Sequence, residues 1–518
     1  MLTPPQRRGQ QPERRPSFAI AASHRPAGQD TVRQRVEARS EGSDGHLAPA
    51  ARRLLVVSSH FPPERGAGVH RMLRLVRHVS TAGWPIAVLT VDPRYYRAGT
   101  PRDDSLLVRV PAGIAVYRTK VVRGLAVAVR WRRRLHEVQR ALTGRLVRFN
   151  ANEGSPKAPT KRVEKARPPK RPFIDAEIGW FWHAVRDGAA VVARHQPDVI
   201  LSSAPPFTCH LVGAWLARRH GVRWVADFRD PWARAPWGGE RLAHSARGRL
   251  RRYLERLIVT RADAVILNTP ALRDEFAAHY GPRLAAKFHV VTNGYDADLL
   301  GPYLVPPPRR ASARLILTHA GSLYRQRDPR PLLQAVASAI ASKRIPASGI
   351  DLRFVGAVAP EFRVADTLRD LGLESVARFA PPVDHHRSLQ YLAESDVLVV
   401  IQPGTHLQVP VKLYEYLPFR KPILALAPAG ALSTIVQDGG LGLVVAPDAA
   451  QALEDAICHL YEQRDRLREC FHTDSSYIAQ FDGEVVSRQL QRILEAVSEP
   501  RTGGVLPPRV SVSSVSRP

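Results

Sequence analysis

Cysteine is nearly absent from this 518-residue chain. The three that occur, Cys209, Cys458 and Cys470, are far apart, and no Cys-x-x-Cys or Cys/His pair has zinc spacing. A disulfide framework and a structural zinc site are therefore not expected, and a reducing compartment is. No uninterrupted apolar run reaches the ~18 residues of a membrane span. The opening MLTPPQRRGQQPERRPSF is basic but lacks the long apolar core of a signal peptide. Acids are in deficit: 47 Asp and Glu face 76 Lys and Arg, a formal charge of +29. Lysine is scarce as well, with 9 residues, so 67 of the 76 bases are arginine. The excess points to an anionic partner, whether nucleic acid, phosphate ligand or lipid surface. With 44 prolines, it also fits a GC-rich coding bias.

What is present is globular. Hydrophobic residues make up 44% and charged residues 24%, which excludes wholesale disorder. The length is too great for one core and suggests two domains of ~200–250 residues. Residues 1–51 and 499–518 lack apolar periodicity and read as a disordered basic extension and a disordered tail. Between them strand and helix alternate. Arg53–Val57 is a strand, followed by a helix with Val69, Met72, Leu73, Val76 and Val79 on one face. Further short apolar runs lie at Pro85–Thr90, Asp198–Leu201, Arg223–Ala226, Ala264–Leu267 and Phe288–Thr292. The Pro-rich stretch 301–310 reads as a linker. A second series follows at Leu315–His319, Asp351–Val355, Val376–Phe379, Asp396–Ile401, Pro422–Leu426 and Leu441–Val445. The expected architecture is α/β, with two Rossmann-like doubly wound domains at 52–300 and 311–480 and a C-terminal helix at 481–498. Residues 121–172 break the pattern, with 15 Lys or Arg against 3 Glu, a net +12. They read either as a basic insertion that adheres to anionic lipid headgroups or as a solvated, variable loop.

An ordered set of motifs over residues 52–498 resembles glycosyltransferase family 4, retaining enzymes of the GT-B fold. LLVVSSHFPPERGAGVHRMLRLVRHVSTAGWPIAVLT resembles the family's first strand, glycine loop and helix. ADAVILNTPALRDEF with VVTNGYDADLL, and HAGSLYRQRDPRPLLQAV, are similar to the end of its first domain and the start of its second. DLRFVG, SLQYLAESDVLVVIQPG and VPVKLYEYLPFRKPILAL complete the order. WVADFRDPWA and SSAPPFTCHLVGAWLARRHG resemble a bacterial subgroup associated with surface polysaccharide assembly.

Several residues could carry chemistry. Glu415 lies on a short helix in Val409–Leu417; the pattern alone favours a salt bridge with Lys412, three residues away, whereas the resemblance implies a contact to the ribose of a donor nucleotide. The family's second Glu, eight positions earlier, is here Leu407. The loop Gly404–Gln408 would then serve the sugar through backbone N–H groups, with His406 or Gln408 as substitute side chains. Arg325 and Arg327 follow Gly321 at the start of the second domain, where the family places a basic pair to stabilise a leaving diphosphate; ordinary solvated arginine is the rival reading. Gly66-Ala67-Gly68 opens the first helix, where backbone can approach an anion, and His60 and Arg71 flank it. Asp227, Arg229 and Asp230 end a strand and read either as groups addressing sugar hydroxyls or as a buried salt-bridge cluster.

The resemblance implies transfer of a sugar from a nucleotide-sugar donor to a saccharide or lipid-linked acceptor, with the leaving phosphate taking the acceptor's proton on one sugar face. It calls for no protein nucleophile, no cofactor and no metal. Exopolysaccharide or capsule synthesis is the implied pathway, and the cytoplasm is the implied location, with peripheral attachment at the membrane's inner face through 121–172. Two rivals stay open. A non-hydrolysing nucleotide-sugar epimerase has the same two domains. A nucleic-acid-binding protein would use the charge, although no recognised module for specific nucleic-acid binding is visible.

Overall fold

The computed structural model describes residues 52–122, 174–234, 244–305, 314–471 and 474–499. The N-terminal extension, the body of the basic insertion and the C-terminal tail lie outside them. Apolar tetrads and hexads such as Leu54–Val57 (LLVV), Ile86–Val91 (IAVLTV) and Val199–Ala204 (VILSSA) are buried along their whole length. Continuous burial of that kind requires both faces to be covered, which is the condition of a parallel sheet between helix layers.

Two parallel sheets result. The first contains β1 (Leu54–Val57), β2 (Ile86–Val91), β3 (Ala115–Thr119), β4 (Val199–Ala204), β5 (Arg223–Phe228), β6 (Ala264–Leu267) and β7 (Phe288–Val290), in the order β3-β2-β1-β4-β5-β6-β7. The second contains β8 (Leu315–Ala320), β9 (Ile350–Val355), β10 (Ala377–Ala380), β11 (Val397–Ile401), β12 (Ile423–Leu426) and β13 (Gly442–Val445), in the order β10-β9-β8-β11-β12-β13. Each is the doubly wound arrangement expected. In each the order reverses beside the first strand, where Leu54 pairs with both Ile86 and Val199 and β8 pairs with both β9 and β11. Ligands bind beyond the strands' carboxyl ends at such a switch point.

Alternation divides the first sheet between two cores. Leu55, Val57, Ile200, Ala226 and Phe228 face helices Phe181–His195, Thr208–His220 and Ala246–Arg261. Leu54, Val56, Val199, Leu201 and Val225 face the other way, onto Met72 and Val76 of helix Ala67–Thr81. Val486, Leu490 and Leu494 of the last helix, Gly483–Ser498, complete this second core. The chain therefore returns from the second domain to the first. Backbone bonds from Tyr295 N to Phe481 O, 3.0 Å, and from Gly483 N to Tyr295 O, 2.8 Å, fix the crossing.

Two sequence expectations change. The segment expected to begin the linker at 301 is helical to Leu304, in helix Ala297–Leu304. Leu300 is buried there among second-domain residues Leu389 and Phe419, so packing overrides the Pro-rich composition; Pro302 falls in the final turns. Strand β3 was not expected from sequence because it is a partly exposed edge, Ala115-Val116-Tyr117-Arg118-Thr119, without an apolar run.

Leu494→Ala should lower stability by about 2–5 kcal/mol, since it opens a cavity between the last helix and the first sheet. Urea denaturation measures this, with the exposed Arg492→Ala as the unchanged reference.

Candidate functional site

The carboxyl-end loops of both sheets enclose a cavity of about 380 Å³. The first domain contributes Gly68, Arg229, Asp230, Asn268 and Asn293; the second contributes Tyr324–Arg327, Gln402, Gly404, Thr405 and Gln408–Lys412. Gly68 begins the long helix Ala67–Thr81, and the Arg229 guanidinium occupies the place where a Cβ on residue 68 would stand. Glycine is therefore required for Arg229 to reach the helix N-terminus. Arg229 is held by donation from Nε to Ala204 O at 3.3 Å and from Nη2 to Pro205 O. Asp230 accepts from Gln408 Nε2 across the cleft. Burial pushes its carboxyl above the ordinary value, opposed by Arg229 and Gln408.

On the opposite wall, Arg327 donates through Nε and Nη2 to Gln402 Oε1 at 3.0 and 2.7 Å, which aims the guanidinium. Arg325 is exposed and holds a left-handed backbone, φ 57°. Both arginines lie over the Tyr324 ring, 5.8 and 5.2 Å from its centroid. Lys412 runs across Gly321, filling the space a side chain there would need, and donates from Nζ to Ala320 O. Burial, with Arg327 nearby, pushes its ammonium down to about 8. Positive groups from three chain positions thus converge on one cavity.

Other sequence candidates stand elsewhere. Asp227 is fully buried and does not line the cavity. Arg71 Nε and Nη2 donate to its two oxygens at 3.2 and 2.8 Å, and Ser203 Oγ donates at 2.7 Å. Burial raises this carboxyl, but Arg71 and Ser203 outweigh it and hold it below the ordinary value. The expected cluster of Asp227, Arg229 and Asp230 is thus divided. Asp227 follows Val225 onto one face of β5, whereas Arg229 and Asp230 lie past the strand's end. Leu407 is buried in the first domain's core, and its carbonyl accepts from Thr269 Oγ1 at 2.6 Å. Its side chain closes the two domains together and faces no ligand space. His406 is exposed and lies against Gly430, outside the cavity lining. Gly66 and Gly321 are absent from the lining, as are His60, which pairs with Glu64 at 2.9 Å, and Arg71.

Glu415 does not pair with Lys412. Its Oε1 lies 3.5 Å from His385 Nε2, and His70 sits beside His385 with ring centroids 5.8 Å apart. The Glu415 carboxylate raises the His385 imidazole above 6.5 despite burial. Burial raises Glu415, but His385, Lys412 and His70 together hold it below 4.5. Sequence reasoning did not single out Asn268, Asn293, Gln326 or Gln402. A signal existed for the two asparagines, since Asn268 directly follows β6 and Asn293 lies three residues past the end of β7, at the edge where ligands collect.

Two predictions follow from these contacts. Asp227→Asn leaves Arg71 buried without its counter-charge and should lower stability by about 3–5 kcal/mol in chemical denaturation. The His385–Glu415 pair has a pH window. A raised histidine stabilises below its ordinary 6.5 and loses that contribution as pH rises through its folded value, whereas a depressed carboxyl stabilises above 4.5 and fades toward acid. The stability of the wild type relative to His385→Gln should therefore peak between about pH 4.5 and 6.5 and shrink as pH rises beyond 6.5, read from denaturation midpoints across pH.

The chain matches two family models, "Glycosyltransferase Family 4" over residues 126–299 and "Glycosyl transferases group 1" over 314–463. It is 28% identical over 228 residues to D-inositol 3-phosphate glycosyltransferase of Paenarthrobacter aurescens, covering 41% of this chain and 53% of that one. The counterpart in Corynebacterium kroppenstedtii is 24% identical over 47% of this chain and 56% of its own. The alignments thus span about half the length of these curated relatives. Among solved structures, sucrose-phosphate synthase from Thermosynechococcus elongatus superposes with TM-score 0.58 at 16% identity, over 86% of this chain and 99% of its own. Anabaena Alr3699/HepE in complex with UDP superposes with TM-score 0.57 at 16% identity, over 86% and 100%. With a glycosyltransferase model matched on each domain, the two together spanning well over half of the chain, and two parallel α/β domains flanking a basic cleft, the chain belongs to the GT4-type glycosyltransferases of GT-B fold.

Proposed function

We propose that this chain transfers a glycosyl group from a nucleotide-sugar donor to a saccharide or lipid-linked acceptor, with retention. The observation that carries the reading is the convergence of Arg325, Arg327 and Lys412 on the cavity wall opposite Arg229 and Gly68. A nucleoside diphosphate is the leaving group such a wall suits, because its developing negative charge is stabilised by pre-aimed cations. Gln402 supplies that aim for Arg327. The binding of UDP by the Anabaena structural neighbour is consistent with such a donor.

In this reading Glu415 takes the ribose hydroxyls beyond Lys412, with His385 orienting its carboxylate. The acceptor approaches from the first domain, over Asp230, Asn268 and Asn293. The departing phosphate accepts the acceptor's proton on the same sugar face, so the protein supplies positions and positive charge rather than a nucleophile. No metal is needed where arginine and lysine neutralise the diphosphate. Because Leu407 serves the domain contact, the donor sugar is held by Gln408 and the backbone at Gly404–Thr405. The pathway we assign is bacterial surface polysaccharide assembly, at the cytoplasmic face of the membrane.

Arg327→Ala should lower kcat by about 100-fold or more with a smaller change in donor KM, as for loss of a group that acts in the transition state. Glu415→Gln should weaken UDP binding in calorimetry by about 1.5–3 kcal/mol, as for loss of hydrogen bonds to a charged group. Full activity in Arg325→Ala/Arg327→Ala would overturn the reading. So would conversion of the donor sugar to its epimer without any acceptor, which would mark the epimerase instead.

A further inference from the structure

Ten arginines lie on the three neighbouring helices Phe181–His195, Thr208–His220 and Ala246–Arg261, against two acids, Asp187 and Glu255. These helices pack side by side on one face of the first sheet. Of the two acids, Asp187 offsets Arg186 at the surface and Glu255 lies beneath it. Glu255 is fully buried, accepting from Ala233 N at 2.7 Å and Tyr280 OH at 2.9 Å, and Asp187 pairs with Arg186 at 2.8 Å.

The outward stripes are regular. On Ala246–Arg261 the exposed positions Arg249, Arg252, Tyr253 and Arg256 follow i, i+3, i+4, i+7, one side of a helix. Trp182 and Arg186 on Phe181–His195 are four apart, and Trp215, Arg218 and Arg219 on Thr208–His220 repeat the spacing. Three large aromatics therefore stand among exposed arginines: Trp182 is 69% exposed, Tyr253 62% and Trp215 38%.

We propose that this three-helix face docks on an anionic lipid surface, with the arginines at the headgroups and Trp182, Trp215 and Tyr253 entering the interfacial layer. Two observations select a bilayer. Arginine and tryptophan or tyrosine together are the composition of a membrane interface, where amphipathic rings sit at headgroup depth. The aromatics are also spread over the outside of three parallel-packed helices, a broad face, and not along a groove that a nucleic-acid strand would follow. The three helices lie outside residues 121–172 in the sequence, so the proposal does not depend on that segment adhering to lipid. Nor does it depend on the transfer reaction.

The test is sedimentation of the full chain with vesicles of phosphatidylcholine alone and of phosphatidylcholine with 30% phosphatidylglycerol. The wild type should bind only the anionic vesicles and release as salt rises. Arg249→Glu/Arg256→Glu should weaken that binding about thirtyfold, on the basis of ~1 kcal/mol per base near the surface. Trp182→Ser/Tyr253→Ser should weaken it about fivefold, with a loss that persists at high salt because ring insertion is apolar. UDP binding by calorimetry should stay unchanged in both variants, which shows that they fold. Wild-type vesicle binding in the charge-reversal variant would overturn the proposal. It would also fall if deleting residues 124–170 abolished binding while the helix variants had no effect. Binding of a DNA duplex as tight as vesicle binding, and insensitive to the aromatic substitutions, would assign the face to nucleic acid instead.

Discussion

The buried pair of Arg71 and Asp227 holds the first domain's side of the cleft in place. Arg71 comes from the first helix and Asp227 from β5, while Ser203 of β4 donates to the same carboxylate. The guanidinium also donates to Val291 O, Thr292 O and Asn293 Oδ1, in the loop after β7. One ion pair therefore ties a helix and two central strands to an outer loop. Removing a charged pair from water is expensive, and the arrangement is stable because nearly all its donors and acceptors are used. Its position, one residue from Phe228 and two from Arg229, sets where Arg229 and Asp230 emerge. The first domain's charged groups at the cavity, Arg229 and Asp230, follow a pair that does not itself line it.

The domains are joined by contacts of different chemistry. Thr269 to the Leu407 carbonyl, Gln408 to Asp230 and Arg65 to the Val383 carbonyl at 3.1 Å cross the cleft near its mouth. Leu407 itself lies in the first domain's core although the second domain contributes it. Leu407 makes an apolar contact between domains at the position where the resemblance implied a ligand contact. Thr405 and Gln408 are the polar side chains of that loop that line the cavity.

Most of the strands were legible because fully buried parallel strands carry unbroken apolar runs, as LLVV and IAVLTV do. β3 was not, since a strand with solvent on one side has no such run. Arg325 and Arg327 were singled out from their order after Gly321, and both line the cavity. The pairing of Glu415 could not be read in this way, because His385 comes from a helix thirty residues earlier and no local spacing joins them. Asp227 was left between a sugar contact and a buried salt bridge for a related reason. Neighbours in sequence at a strand's end face opposite sides, and only the sheet tells which side is the ligand's. The apolar stripe of the last helix was legible, but a stripe does not say which domain it covers.

That last helix has a consequence for how the chain is made. The face formed by Leu54, Val56, Leu201 and Met72 is closed by Val486, Leu490 and Leu494, more than four hundred residues after β1. During synthesis the first sheet can assemble early, yet one of its apolar faces stays uncovered until nearly the whole chain has left the ribosome. The first domain is thus the first to begin folding and the last to finish, and a polypeptide stalled within the second domain would expose a greasy seam for chaperones or for neighbouring nascent chains to occupy.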